Sequence, residues 1–488
     1  MTEAPPLWTA ETAAEATGGR FQRHWSAFGV SIDSRSLVPG DVFVALQGPN
    51  FDGQAFVTQA LDRGAGAAIV SRHPEGVGED APLLLVGDTF EALRALGRAG
   101  RLRTDARIAG ITGSVGKTGV KEALALALSR QGATHFSVGS FNNHWGVPLS
   151  LARMPRSSAF AIFEMGMNHP GEITPLTTLV RPHVAAITTV EPVHLQNFGS
   201  AGDIADAKAE IFAGLEPGGM AVLNRDNAHF DRLVRKAGDA GVSCFLSFGR
   251  DRAADARLIA ADQGERGSRI EADVLGTRLS FFVGVPGSHW VTNVLCVLSC
   301  AAALGADVRA AAAALADLQP PRGRGLRARV RLENGEFELI DDSYNASPPS
   351  MRASFEVLGR SRPGVGGRRI AVLGDMLELG ASSASLHAAL AAAVVENGID
   401  LVFTAGPMSA YLREALPAAL RADHAADSAA LAPLVAAAVQ AGDVVAVKGS
   451  AGSRMRLVVD AVLALDRGGG ASPTAGGTVH ATAASRGC

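Results

Sequence analysis

Short apolar runs alternate with turn residues and Ala-rich helical patterns along most of the chain. In the first block, apolar runs at 42–46 and 67–70 flank a helical pattern at about 56–63. Strands are short, apolar and bounded by turn residues, so this order indicates a mixture of short strands and helices. The pattern predicts a small α/β domain that ends after an Ala-rich helix at about 89–101.

A second block begins with the strand pattern of Arg107 to Thr112, which runs into a glycine-bearing turn. A helical pattern from about Thr118 to Arg130 follows this turn. Three further apolar runs continue the alternation, at 160–163, 184–187 and 221–224. Alternation of this kind predicts a mostly parallel sheet with helices on both faces.

A third block follows the Pro- and Gly-rich run at 320–325. Apolar runs separated by Ala-rich helical patterns predict a Rossmann-like domain, with strands at 370–373, 401–404 and 444–447. The remaining Gly, Ala, Ser and Thr residues can bury little apolar surface, so we expect a disordered tail.

The predicted fold class is therefore α/β, in three domains. A length of 488 residues agrees with this number at roughly 150 residues per domain. The predicted divisions are a small α/β substrate domain, a central P-loop ATPase domain with a mostly parallel sheet, a C-terminal Rossmann-like domain and a disordered tail, at 1–106, 107–319, 320–467 and 468–488.

Charge and hydrophobicity narrow the range of partners. The chain has 45 basic and 48 acidic residues, so it lacks the broad positive field that holds nucleic acid or an anionic membrane. No run reaches the roughly 20 uninterrupted apolar residues of a membrane span. The segment Met1 to Gly19 lacks an uninterrupted apolar stretch. We therefore expect no secretory signal, no stable membrane insertion and a cytoplasmic location.

The clearest chemical motif is the turn Gly113-Ser114-Val115-Gly116-Lys117-Thr118, between a predicted strand and a predicted helix. Glycines let backbone N–H groups turn towards phosphate oxygens, the lysine adds a point charge, and the threonine hydroxyl can bind Mg2+. Walker A spacing would place a glycine at Ile111, so the motif is a variant. We predict a site for ATP phosphates in preference to a turn that only links strand to helix.

Phosphoryl chemistry also needs a carboxylate for the metal ion. The predicted strand at 160–163 ends in Glu164, and a carboxylate there can hold the Mg2+ that bridges ATP phosphates. A strand-end glutamate taken alone is more often a surface residue. The run Met165 to Glu172 that follows makes this position a better candidate.

These motifs resemble the Mur ligase family, and the resemblance spans nearly the whole chain up to the tail. The phosphate turn is joined by eight landmarks: Val120–Glu122, Asn142–Leu149, Glu164–Ile173, His194–Gly199, Ala207–Phe212, Asp341–Ala346, Leu373–Gly380 and Val447–Ser450. The closest branch adds D-alanyl-D-alanine to UDP-N-acetylmuramoyl-tripeptide (UDP-MurNAc-tripeptide). The resemblance implies an ATP-dependent ligase that works through an acyl phosphate, in the last cytoplasmic step of peptidoglycan precursor assembly.

The resemblance also implies specific roles at the reacting centre, with ATP and Mg2+ as cofactors. Catalytic roles fall on Lys117, Glu164, His194 and Lys208, and metal contacts on Thr118, Glu164, His194 and Lys208. Lys208 matches the lysine that is carbamylated in this family, which turns an ammonium into a carboxylate-like metal ligand. Without the resemblance, Lys208 would be interpreted as a solvated helical lysine.

Further implied contacts lie in all three blocks. Besides the phosphate turn, the ATP contacts are Asn293, Arg324, Asp342, Tyr344 and Asn345. The substrate contacts are Ser34, Arg35, Asp52 and Gly53 for the UDP-sugar end, Asn142 and Asn143 in the middle block, and Lys448 and Ser450 for the dipeptide. The chain departs from the family pattern at Gln54, Val115 and Ala451, where His, Asn and Arg are common. None of these departures removes a phosphate or metal group.

Two other interpretations stay open at this point. A sister ligase that adds a single amino acid, or a folylpolyglutamate synthase, would share the central ATPase; the amino-terminal and 341–346 matches favour the dipeptide ligase. A P-loop protein that uses ATP as a conformational switch would not need His194 and Lys208 as extra metal-site groups. We expect a monomer, and the third residue of the acceptor peptide, diaminopimelate or lysine, stays open.

Overall fold

The computed structural model describes residues 5–48, 50–139, 141–192 and 195–467. His194 and the predicted disordered tail lie outside these residues. Sheets of five, nine and six strands follow one another along the chain, so the α/β fold class is confirmed. The exact divisions at 106, 319 and 467 stay a prediction. Within the described ranges, no helix combines the length and apolarity needed to cross a membrane.

The first block is built on a sheet in the order β2-β9-β8-β5-β4, in which β4, β5, β8 and β9 are parallel. Two short antiparallel pairs, β1–β3 and β6–β7, accompany it. Its elements are β1 (Trp8–Thr9), α1 (Ala10–Thr17), β2 (Arg20–Phe21), β3 (Ser26–Ala27), β4 (Gly29–Ser31), β5 (Asp41–Val44), β6 (Gln47–Gly48), β7 (Phe51–Asp52), α2 (Val57–Asp62), β8 (Ala67–Val70), β9 (Leu83–Leu85) and α3 (Thr89–Leu102).

The middle block has the strand order β11-β12-β10-β13-β14-β15-β16-β17-β18. Strands from β11 to β16 are parallel, whereas β16, β17 and β18 form antiparallel hairpins that the sequence interpretation did not include. Its elements are β10 (Arg107–Thr112), α4 (Lys117–Ser129), β11 (Thr134–Phe136), α5 (Gly146–Ala152), β12 (Phe160–Glu164), α6 (Ile173–Val180), β13 (Val184–Ile187), α7 (Ala201–Ala209), β14 (Met220–Asn224), α8 (Phe230–Asp239), β15 (Cys244–Gly249), β16 (Ala256–Gln263), β17 (Ser268–Val274), β18 (Thr277–Val283), α9 (Ser288–Ala303) and α10 (Val308–Ala314).

The third block has the strand order β19-β20-β24-β21-β22-β23, parallel except for β19. Its central strand β24 is buried along its whole length, which explains its apolar run. The elements are β19 (Leu326–Leu332), β20 (Gly335–Asp342), α11 (Pro348–Arg360), β21 (Arg369–Gly374), α12 (Ser383–Ala388), α13 (Leu390–Glu396), β22 (Leu401–Ala405), α14 (Ser409–Ala415), β23 (Arg421–Ala425), α15 (Ser428–Ala438), β24 (Val444–Lys448) and α16 (Arg456–Leu463).

The first and middle blocks pack closely through α3 and α5. A Cβ on Gly100 of α3 would lie 2.3 Å from the backbone oxygen of Leu151 on α5, so only glycine permits this approach. The indole N–H of Trp8 donates to the Ala152 backbone oxygen across the same junction, at 2.9 Å. These contacts fix the first block against the C-terminal end of α5.

Candidate active site

A cleft of about 810 Å³ lies between the middle and third blocks. One wall comes from the carboxyl ends of β10, β12 and β13, and the other includes the ends of β20 and β24. Strand β10 lies between β12 and β13, so the chain reverses its direction of winding at this point of the sheet. Open α/β sheets bind ligands at such a reversal, and the volume suits a nucleotide-sized ligand.

The phosphate turn lies between β10 and α4, as predicted. Gly113 and Gly116 have positive φ angles of 148° and 88°, which side chains of L-residues rarely adopt. Helix α4 begins at Lys117, so its N-terminus faces the cleft with the favourable end of the helix dipole. The Lys117 ammonium donates to the Gly113 backbone oxygen at 2.8 Å and closes the turn.

The turn is braced by the segment that follows β13. The Ser114 hydroxyl donates to the Glu191 backbone oxygen at 3.0 Å and accepts from the Glu191 backbone N–H at 2.9 Å. The Thr188 hydroxyl donates to the Val115 backbone oxygen at 2.6 Å. These contacts hold the turn in one shape before any ligand arrives, which reduces the ordering cost of binding.

Glu164 lies at the end of β12 and is 1% exposed. The Thr118 hydroxyl donates to one carboxylate oxygen at 2.8 Å, and the Asn142 amide donates to the other at 2.7 Å. Within the described residues, no three His, Cys, Asp or Glu side chains cluster as a metal cage. One carboxylate with a neighbouring hydroxyl still suits Mg2+, because this ion takes few protein ligands and completes its shell with phosphates and water.

Basic side chains lie near the phosphate turn. Burial lowers the pKa of Lys117, an effect that Glu164 opposes and the charge of Arg324 reinforces. Lys208 is 2% exposed, and burial with the nearby Lys117 charge holds its pKa well below the usual range. An anion placed near these groups would favour their charged forms. A polyphosphate would be such an anion.

Three family models cover most of the chain. The Mur ligase middle domain matches residues 111–301, and the glutamate ligase domain of Mur ligases matches residues 326–451. The model described as the Mur ligase family catalytic domain matches residues 28–101. Each of the three sheets described above thus contains residues of one Mur ligase family model.

A curated relative extends the match over nearly the full length. The UDP-N-acetylmuramoyl-tripeptide–D-alanyl-D-alanine ligase of Escherichia coli is 36% identical over 437 residues, covering 89% of this chain and 93% of the relative. The chain belongs to the Mur ligase family. The resemblance drawn from the sequence motifs is therefore confirmed.

Solved Mur ligase structures share the fold. MurF from Acinetobacter baumannii superposes with a TM-score of 0.79 at 29% identity, covering 93% of this chain and 98% of that one. MurF ligase from Thermotoga maritima in complex with ADP gives a TM-score of 0.71 at 27% identity, covering 89% and 96% of the two chains.

In this Mur ligase the cleft gathers most of the predicted ATP and metal residues, although they come from separate parts of the sequence. Those that line it are Ser114, Val115, Gly116, Lys117, Thr118, Asn142, Asn143, Glu164, Asn293, Arg324, Asp342, Tyr344, Asn345 and Lys448. Asn293 lies against the phosphate turn, since a Cβ on Gly116 would be 2.9 Å from its side-chain oxygen. Asn293 belongs to the second turn of α9 rather than to its first residues.

The third block contributes a pre-formed wall. The ammonium of Lys448, which is 3% exposed, donates to Asp342 at 2.8 Å and to the Asn345 backbone oxygen at 3.0 Å. Burial raises the pKa of Asp342 while the Lys448 charge opposes that rise. The Arg324 guanidinium lies 4.3 Å from the centre of the Tyr344 ring. The predicted nucleoside loop is thus held by its own ion pair and stacking contact.

Two predicted dipeptide contacts differ in their surroundings. Lys448 lines the cleft, whereas the predicted Ser450 does not. The Ser450 hydroxyl accepts from the Leu377 backbone N–H at 2.9 Å and is buried. Ser450 therefore ties the turn after β21 to the end of β24, and its contact with the dipeptide stays a prediction.

The predicted UDP-sugar residues lie in the first block, away from the cleft lining: Ser34, Arg35, Asp52 and Gly53. Asp52 pairs with Arg72 at 2.7 Å, and Arg35 pairs with its neighbour Asp33 at 2.8 Å. Phe51, beside Asp52, meets the ring of Trp145 edge-on at 5.9 Å between centroids. This aromatic contact links the first block to the Asn142–Trp145 segment that reaches Glu164.

Sequence reasoning missed several residues that shape this site. Thr188 and Glu191 brace the phosphate turn. Both follow an apolar strand, as Glu164 does, and this position in the sequence could have indicated them. A second signal was the rarity of lysine, because only five of the 45 basic residues are lysines. Three of them, at 117, 208 and 448, are predicted site residues, and Lys121 lies one helical turn behind Lys117.

Replacing Gly113 with alanine should damage nucleotide binding more than it damages the fold. A Cβ there would lie 1.9 Å from the Thr188 hydroxyl oxygen, which is held by its bond to Val115. Strain of about 1–3 kcal/mol is expected to displace the turn. We expect the affinity for ATP to fall at least about tenfold, measured by calorimetric titration.

Gly238→Ala provides the matched control, because Gly238 is on α8 and a Cβ there meets no atom within 4 Å. Its ATP affinity should equal that of the wild type. Wild-type affinity in a folded Gly113→Ala protein would contradict the role of this turn.

Proposed function

We propose that this Mur ligase joins D-alanyl-D-alanine to the terminal carboxylate of UDP-MurNAc-tripeptide, with cleavage of ATP to ADP and phosphate. This would be the last cytoplasmic step of peptidoglycan precursor assembly. The names of the relatives support the substrates, and their matches extend through all three blocks. The observation that carries the chemistry is the cleft in which the phosphate turn, Glu164 and Lys448 line one cavity.

The reaction needs activation because an amine does not displace oxide from a carboxylate at neutral pH. A carboxylate oxygen of the tripeptide attacks the γ-phosphorus, and the bond between that phosphorus and ADP breaks. The dipeptide amine then attacks the carbonyl carbon, the bond to phosphate breaks, and the amine loses its proton. Lys117 offsets the charge that develops on the transferring phosphoryl group.

Thr118 and Glu164 would hold Mg2+, and bound Mg2+ supplies charge neutralisation on the phosphate oxygens. The backbone N–H groups of the phosphate turn would cradle the phosphates, while Arg324 approaches from the third block. Asn293 on one wall and the Asp342–Asn345 loop on the other would hold the nucleoside. Enclosure between the blocks would keep water from the activated acid.

The first block would hold the UDP-sugar through Ser34, Arg35, Asp52 and Gly53, as the resemblance implies. Lys448 and Ser450 would position the dipeptide. We also propose that the domains divide at 106, 319 and 467 and that the protein is a monomer.

We further propose that Lys208 carries a carbamate. Its amine is buried beside Lys117. A lysine whose pKa is held well below the usual range has a larger fraction of neutral amine, which is the form that adds to carbon dioxide. The new N–C bond and the loss of a proton leave an anion beside the Lys117 charge, which removes the like-charge conflict.

The direct test is incubation of the protein with ATP, Mg2+, candidate amines and UDP-MurNAc-tripeptide that has diaminopimelate or lysine as its third residue. The masses of the products are then measured. We expect a product equal to the tripeptide substrate plus D-alanyl-D-alanine minus water. Phosphate release should require both the tripeptide and the dipeptide. Release without either substrate would favour a switch protein, and preference for a single amino acid would favour a sister ligase.

A further inference from the structure

Lys121 lies on α4 one helical turn after Lys117, and its side chain is 0% exposed. Its ammonium donates to the backbone oxygens of Ser137 and Gly139, at 2.5 and 2.7 Å. A carboxylate oxygen of Glu122 lies 2.8 Å away. Three oxygen atoms thus surround a group with three N–H donors. Burying a charge is costly even when the charge is paired, so Lys121 is weakly explained by stability alone. We therefore look for its role in the backbone that it binds.

Lys121 holds Ser137 and Gly139, which follow β11. Val138 between them accepts from the Phe141 backbone N–H at 3.5 Å. Asn142 comes next, and its amide donates to Glu164 at 2.7 Å while its backbone oxygen accepts from the Gly166 N–H at 2.9 Å. Helix α4 therefore acts on Glu164 in two ways, directly through Thr118 and indirectly through Lys121 and Asn142.

We infer that Lys121 is a positioning residue for the metal site, acting through Asn142 on the orientation of Glu164. Removing the ammonium would leave two inward-facing carbonyls without a donor, and buried acceptors of this kind drive the backbone to rearrange. Asn142 would then lose its place, and Glu164 would keep only the Thr118 bond. The inference rests on the proposed function, because that proposal makes Glu164 a ligand of Mg2+.

The first test is Lys121→Met, which keeps an unbranched stem and removes the donors. Mn2+ would be titrated into the full-length protein saturated with ADP, and free Mn2+ followed by electron paramagnetic resonance. Loss of residues that orient metal ligands costs about 10- to 100-fold in metal affinity, so we expect Mn2+ to bind at least about tenfold more weakly. Lys236→Met is the matched control, because Lys236 is a half-exposed lysine on α8 outside the cleft, and it should stay within about twofold of wild type.

A double-mutant cycle with Asn142→Ala separates positioning from general destabilisation. If Lys121 acts through Asn142, the double variant should bind Mn2+ as the Asn142→Ala variant does, within about twofold. Independent effects that multiply in the double variant would overturn the inference. So would wild-type Mn2+ affinity in a folded Lys121→Met protein.

If Lys121→Met does not fold, Lys121→Arg carries the same cycle, since it keeps the charge and alters the donor geometry. This readout needs no turnover, so it separates the two proposals. A wild-type protein that binds ADP and Mn2+ but forms no ligated product would contradict the proposed substrates. The Mn2+ affinity of the Lys121 variants would still test the positioning role. A wild-type protein that binds no Mn2+ with ADP would overturn both.

Discussion

Replacing Lys117 with alanine is expected to lower the turnover of ligation by about 100- to 1,000-fold, the usual loss when a preorganised donor to developing charge is removed. The Lys117 ammonium closes the phosphate turn through Gly113 and lies beside Glu164. Its removal takes away the charge closest to the turn without creating a cavity in the core. Steady-state kinetics with both substrates would measure the loss, and thermal unfolding would show an intact fold.

Lys236→Ala is the matched control for this prediction. Lys236 is on α8, its side chain is 43% exposed, and it forms an ion pair with Asp206 at 3.5 Å. Its turnover should equal that of the wild type. Near-normal turnover in Lys117→Ala would refute the assignment of the phosphate site.

Lys208→Ala is expected to lower turnover at least about 100-fold and to be partly rescued by a small carboxylate. In the proposal, carbamylated Lys208 supplies an anion at the metal site, and alanine removes both the stem and that anion. The space left by the side chain would admit formate or acetate, which restores a carboxylate-like ligand. Turnover measured against increasing formate at constant ionic strength should rise and then saturate.

The matched control for rescue is Lys117→Ala under the same formate series. Lys117 acts as a cation in the proposal, so an added anion should restore no activity there. Failure of formate and acetate to rescue Lys208→Ala at any concentration would count against the carbamate.

Many of the parallel strands follow from local sequence. The strands predicted at 107–112, 184–187 and 67–70 agree with β10, β13 and β8 to the residue. Buried parallel strands need apolar side chains on both faces, so their runs are continuous and easily recognised. The phosphate turn was equally accessible, because its glycines, lysine and threonine are contiguous and lie between a strand and a helix.

Other features depend on contacts between distant residues. In the hairpins, β17 and β18 alternate buried and more exposed positions, a pattern weaker than the continuous apolar runs of the parallel strands. Asn142 was predicted to contact substrate, and its bond to Glu164 spans 22 residues. The pair of Lys448 with Asp342 spans 106 residues and arises because β24 and β20 are neighbours in the sheet. Such pairings are set by strand order, which periodicity does not reveal.

The most direct test of the account is to follow oxygen from the tripeptide. UDP-MurNAc-tripeptide would be prepared with 18O in both oxygens of the carboxylate that becomes the new amide, and ligated with unlabelled ATP and D-alanyl-D-alanine. If that carboxylate takes the γ-phosphoryl group in the cleft, each released phosphate will carry one 18O atom. Ligation that releases phosphate without the label would contradict the account.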